Sequence, residues 1–113
     1  MKDKPLITKS RVFALNIIKL CNETKPSVMT KQVSRSGTSI GANIHEANYA
    51  HGRADFIAKM QIALKECYET EYWLTLLLDS KTIENKQILE DCLELKRMLI
   101  ASVSTAKGEK TGL

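Results

Sequence analysis

The segment Arg35-Ser36-Gly37-Thr38-Ser39-Ile40-Gly41-Ala42-Asn43-Ile44-His45-Glu46-Ala47 keeps helical spacing while carrying two glycines four residues apart. Val33, Gly37, Ile40, Ile44 and Ala47 recur at intervals of four and three, which marks one face of an α-helix. Glycine inside a helix costs roughly 1 kcal/mol relative to alanine. Two on one face therefore predict an unusually close approach by a neighbouring backbone. The constraint is on architecture and says little about chemistry.

A chain of 113 residues has room for one domain with an adequate core. Aromatics make up only 5% and there are two prolines, a balance that favours an all-α fold over a sandwich. Cys21, Cys67 and Cys92 are odd in number and lack C-x-x-C spacing, so they read as reduced core residues of a cytoplasmic protein and not as zinc ligands. No apolar run approaches the ~20 residues of a membrane span, and the N-terminus lacks the apolar region of a signal peptide.

The periodicity predicts four helices. The first runs from about Thr8 to Asn22, striped by Phe13, Ile17, Leu20 and Cys21, with Val12, Leu15 and Ile18 on its other sides. Lys25-Pro26-Ser27 breaks it. The second runs from near Ser27 or Thr30 to Tyr49, ended by His51-Gly52 with the glycine as a C-terminal cap. The third spans about Ala54 to Asp79 with Phe56, Met60, Ala63, Cys67, Thr70, Leu74 and Leu77 on one face. After Asp79-Ser80-Lys81-Thr82 comes a fourth, striped by Ile88, Cys92, Leu95, Leu99 and Val103. Short connections make the whole an antiparallel up-down-up-down four-helix bundle over residues 1–106, followed by a disordered tail at 107–113.

If helices two and three turn near Gly52, facing residues have numbers that add to about 104. Gly41 then meets Ala63 and Gly37 meets Cys67, small against small. The same count sets Arg35 opposite Glu69, with Glu66 one turn away, as an ion cluster that fixes register. Asn43 and Glu46 join this polar layer, either by capping a neighbouring helix or by reaching another subunit.

Sharper motifs fail. His45-Glu46 opens like H-E-x-x-H, but Tyr49 stands where the second histidine belongs. Neither His45 nor His51 follows a glutamate by three residues, as di-iron bundles require. Gly37-Thr38-Ser39-Ile40-Gly41 lies mid-helix without free N–H groups and without a following Gly-Lys-Ser/Thr, so it is no phosphate loop. Ser36 and Ser39 are too far from His45 to form a triad. The sequence offers no catalytic residue, no metal site and no cofactor.

Charge is uneven. Residues 1–35 hold eight Lys/Arg against Asp3 and Glu23, a net of +6; residues 36–80 hold three against six, a net of −3. Lys2, Lys4, Lys9, Arg11, Lys19, Lys25 and Lys31 are candidate nucleic-acid contacts, set against a plain solvated face or pairing with the acidic middle of another copy. No aromatic stacking platform stands out, so such binding is expected to be backbone-directed. Helix one is apolar on more than one side, and Leu89, Leu93 and Ile100 lie off the main stripe of the fourth, a surplus that predicts a homo-oligomer. The other class left open is a carboxylate-based metal carrier or enzyme using Glu46, Glu66, Glu69 and His45.

Gln32-x-x-Arg35, Ser39-Ile40, Asn43-Ile44 and Glu46, with Ala63, Glu66, Glu69 and the late Leu95-Lys96-Arg97-Met98-Leu99, resemble a bacterial four-helix-bundle family. Its members include proteins encoded in intervening sequences of large-subunit ribosomal RNA genes, and it is related to the accessory variability determinant of retroelements. The resemblance covers roughly residues 8–106; His45, Ala47 and Leu64-Lys65 depart from the commoner family residues. It implies a pentamer of bundles with no established enzymatic activity. Its expected partners are RNA, DNA or a nucleic-acid-acting protein, met through a basic surface.

Overall fold

Four helices occupy residues 4–108, the part of the chain that the computed structural model describes: α1 (Lys4–Asn22), α2 (Val28–Ala47), α3 (Arg53–Asp79) and α4 (Lys86–Ala106). Each packs against the two beside it, α1 on α2, α2 on α3, α3 on α4 and α4 back on α1. The fold is all-α, as the periodicity predicts. Lys2 and residues 109–113 of the expected tail lie outside the described residues.

The local chemistry explains the boundaries. Helix α1 begins four residues before the expected start, because Pro5 sits in its first turn, where a missing N–H costs nothing. Ser27 opens α2 with a capping box: its hydroxyl accepts from the Thr30 N–H at 3.2 Å, and Thr30 Oγ1 accepts from the Ser27 N–H at 2.7 Å. Gly52 does not end α2. It is the N-cap of α3, in extended conformation, while α2 closes at Asn48, and the Asp55 carboxylate reaches back to the His51 N–H at 3.2 Å. Helix α3 ends on Lys81 at φ 59°; the Thr82 N–H bonds the Leu77 carbonyl and the Lys81 N–H that of Leu78, a Schellman closure with lysine where glycine is usual. Asn85 caps α4 through Oδ1, which accepts from the Ile88 N–H.

The core is the predicted stripes turned inward. Phe13, Ile17, Ile40, Ile44, Met60, Leu74, Leu95 and Leu99 are among the side chains sealed from water. Burial of these groups removes apolar surface from solvent at ~25 cal/mol per Å2 and drives the assembly. Ser10, Thr30, Ser36 and Thr70 are the buried polar residues of the described chain.

The glycines have a different neighbour from the one the count about Gly52 assigns. A Cβ on Gly37 would stand 2.9 Å from Ile17 Cγ1, and one on Gly41 would stand 3.3 Å from the Ser10 carbonyl oxygen. Both belong to α1, so the close seam is α1–α2 and not α2–α3. The cause is the helical advance of about 100° per residue. Ser36, one residue before Gly37, faces α3, and that step turns Gly37 towards α1. Ala63 and Cys67 are fully buried in the core without serving as the glycines' nearest contacts.

Candidate functional site

Arg35 is the hub of the α2–α3 seam. Its Nη1 donates to Glu66 Oε2 at 3.2 Å, its Nη2 donates to Glu69 Oε2, and its Nε reaches Gln32 Oε1 on the same helix at 3.3 Å. The Trp73 indole N–H donates to the same Glu69 oxygen at 3.0 Å. Trp73 and Arg35 hold the Glu69 carboxyl below its ordinary range, against an opposing push from partial burial. The guanidinium rises in turn, chiefly through its bond to Glu69. Two carboxylates of α3 thus share one arginine of α2.

Beneath this cluster, the Thr70 hydroxyl reaches Ser36 Oγ at 2.9 Å and the Glu66 carbonyl at 2.8 Å, both side chains being buried. Sequence reading placed Thr70 in the core stripe but missed its partner. Asn43 and Glu46 do not join Arg35. Asn43 Nδ2 donates to the Ser39 carbonyl of its own helix at 2.9 Å, and Glu46 Oε2 lies 3.8 Å from Lys59 Nζ on α3. Across the α3–α4 seam, Lys96 pairs with Glu71 at 2.7 Å and sits over the Tyr68 ring. Cys67 and Cys92 meet with sulfurs 3.8 Å apart, unbridged, and the bond to Cys67 together with burial pushes the Cys92 thiol well up. Among the described residues no three His, Cys, Asp or Glu side chains gather as they would around a metal ion.

The basic residues separate into two groups. Lys9 is paired with Glu94 of α4 at 2.6 Å. Lys4, Arg11, Lys19, Lys25 and Lys31 are exposed and make no ion pair among the described residues. Helix α1 contains no acidic residue, and α2 contains only Glu46, which is turned to Lys59. The α1–α2 layer is therefore a basic sheet of two helices. Nine of the carboxylates lie in α3, α4 and the turn between them (Asp55, Glu66, Glu69, Glu71, Asp79, Glu84, Glu90, Asp91 and Glu94). The structure also sets His45, exposed near the end of α2, edge-on to Tyr49 in the turn that follows, ring centroids 5.4 Å apart. Their i, i+4 spacing was the signal that could have revealed the pair.

The chain has relatives. The sequence pattern of the 23S rRNA-intervening sequence proteins matches residues 2–101. The chain belongs to that family. A protein of unknown function from the S23 ribosomal protein family of Bacteroides thetaiotaomicron, solved by crystallography, is 50% identical to it. The likeness covers 87% of this chain and 97% of that one, with a TM-score of 0.82. No curated protein matches the chain. Neither the family nor this neighbour carries a known enzymatic activity.

Proposed function

We propose that this member of the 23S rRNA-intervening sequence family is a non-enzymatic, homo-oligomeric module of the cytoplasm that binds nucleic acid through its α1–α2 face. The observation that carries the reading is the acid-poor surface of those two helices and their connection, where Lys4, Arg11, Lys19, Lys25 and Lys31 are exposed and unpaired among the described residues and the carboxylates are Glu23 and the Lys59-facing Glu46. A surface of one sign attracts a polyanion and gains affinity by releasing its condensed counterions. Repetition of the face around a pentamer, the assembly the family resemblance implies, would multiply that field.

Assembly is supported by apolar surface that the monomer leaves bare. Val12, Leu15 and Ile18 of α1 and Ile62 and Tyr72 of α3 are all more than 40% exposed. The helices α1 and α3 are diagonal in the bundle, so these two surfaces suit a head-to-tail contact between copies that closes into a ring, with Arg11 and Lys19 at its border and Lys25 and Lys31 left to nucleic acid. Free cysteines fit a reducing compartment, and among the described residues no helix is long and apolar enough to cross a membrane.

The test is titration of labelled RNA and DNA at two salt concentrations. Affinity is expected to fall steeply as salt rises, with a log–log slope of about −0.7 to −0.9 per phosphate neutralised. Absence of binding at low salt would defeat the reading and leave a protein partner as the remaining role.

A further inference from the structure

Resting on that nucleic-acid reading, we infer that the outer face of α2 is a track for a single strand, with phosphates on Lys31 and Ser34 and an unpaired base stacked on Tyr49 beside His45. Lys31, Ser34, Thr38, Ala42 and His45 follow one another at intervals of three and four, so they form one stripe along the helix, and Tyr49 in the turn after it extends the stripe through its ring contact with His45. Every one of them is exposed or half-buried. From Lys31 to His45 the stripe runs about 21 Å, long enough for several nucleotides.

Its two ends differ in chemistry. At the N-terminal end an open groove of about 410 Å3 is lined by Cys21, Pro26, Thr30, Lys31, Ser34 and Thr38, with Arg35 at its edge. The Thr38 hydroxyl is spent on the Ser34 carbonyl at 2.7 Å, whereas the Ser34 hydroxyl makes no hydrogen bond among the described residues and lines the same groove as Lys31. That pairing of cation and free hydroxyl suits a phosphate oxygen.

At the C-terminal end stands the aromatic pair. Tyr49 is 69% exposed in a chain where aromatics are scarce. The other exposed tyrosines have aromatic or cationic cover within the bundle: Tyr72 lies against Trp73 and Tyr68 under Lys96. The ring partner of Tyr49 is His45, at an interplanar angle of 62°, an arrangement that occupies at most one face of each ring. The uncovered face can take a base, and a base within a duplex has no face to offer. The small Ala42 between the two ends leaves the path clear.

The experiment compares single strands of roughly 12 nucleotides, as RNA and as DNA, with a duplex of the same length. Single strands are expected to bind more tightly than the duplex. Tyr49→Ala should weaken single-strand binding about tenfold, the lower part of the range for one base–aromatic stack, without changing the salt slope. Tyr49→Phe should retain it. Lys31→Gln should make the salt slope shallower by about 0.7 and leave the single-strand preference intact. Because Tyr49 is exposed, thermal melting of its variants serves as the folding control. Salt-sensitive binding that favours the duplex, or that ignores Tyr49→Ala, overturns the track while leaving the basic face in place. Absence of any binding at low salt removes the basic-face reading and the track together. Relative affinity for the RNA and DNA strands identifies the source of the ligand.

Discussion

Gly41 lies against the main chain of Ser10: a Cβ on the glycine would stand 3.3 Å from the Ser10 carbonyl oxygen. One turn earlier, Gly37 leaves room for Ile17, whose Cγ1 and Cγ2 would lie 2.9 and 3.1 Å from an added Cβ. The two positions therefore differ in what an alanine would meet. At Gly41, alanine needs a shift of a few tenths of an ångström, and the gain in helix propensity of roughly 1 kcal/mol offsets it.

At Gly37, alanine strikes both branches of a sealed isoleucine. Gly37→Ala is expected to destabilise by about 1 kcal/mol in chemical denaturation despite its better helix propensity, while Gly41→Ala stays near neutral. Gly41→Leu should cost about 1–3 kcal/mol. Ile17→Ala combined with Gly37→Ala should cost less than the two separately, since truncation of Ile17 empties the space the methyl needs. Additive losses would show that Ile17 is not the obstacle.

Helix faces were the most legible feature of this sequence because a 3.6-residue period is local. Ile88, Cys92, Leu95, Leu99 and Val103 are all buried as their spacing implies. The antiparallel count about Gly52 also located Arg35 opposite Glu69. It misplaced the glycines because α2 has neighbours on both sides, and a count about one turn cannot tell which neighbour a small residue faces. Lys81 escaped notice for another reason: a left-handed closure is usually announced by glycine, and this one is not. The start of α1 was legible only to about Thr8, because Pro5 fits a first turn without announcing one. The basic face was legible only as a charge excess, because which lysines are already paired, such as Lys9 with Glu94, depends on a helix 85 residues away.

Ser36 and Thr70 satisfy each other inside the α2–α3 seam. Thr70→Val is isosteric but leaves a buried hydroxyl without its partner, so a loss of about 1–3 kcal/mol is expected. Ser36→Ala with Thr70→Val removes both polar groups and should recover part of that loss. A double-mutant cycle with no coupling would mean that the two hydroxyls do not depend on each other.

Glu69 links stability to pH. Its folded carboxyl titrates below the ordinary 4.5, since Trp73 and then Arg35 favour the ionised form. A depressed folded value contributes stability that is complete above pH 4.5 and is lost as pH falls through the folded value. Glu69→Gln should therefore be less stable than the parent at pH 7, and the gap should narrow below pH 4.5. With Arg35 half exposed, the difference at neutral pH is expected to be no more than ~1 kcal/mol and to shrink in high salt. A gap that stays constant down to pH 3 would assign the loss to packing.

Lys81 holds a left-handed conformation at φ 59°. An L-residue there costs roughly 1–2 kcal/mol, and glycine relieves that cost while adding freedom to the unfolded chain. Lys81→Gly should raise stability by on the order of 0.5–1 kcal/mol in denaturant titration. Lys81→Val, β-branched and poorly suited to this backbone, should lower it. Reversal of that order would argue that the Lys81 side chain itself contributes to the turn.

The proposed head-to-tail assembly makes the last expectation. Leu15 is 55% exposed on α1, and Tyr72 is 58% exposed on α3 at the diagonal position of the bundle. If these surfaces meet between copies, Leu15→Glu places a charge in an apolar contact and should dissociate the oligomer with little effect on the monomer's helices. Light scattering would then move from a multiple of the subunit mass to about 12.7 kDa, while circular dichroism stays unchanged. Tyr72→Glu should do the same, because in a head-to-tail ring every contact uses one copy of each surface. A two-fold contact through α1 alone would instead respond to Leu15→Glu and ignore Tyr72→Glu. A parent protein already at the subunit mass would remove the assembly from the proposed function and leave the basic face to act one bundle at a time.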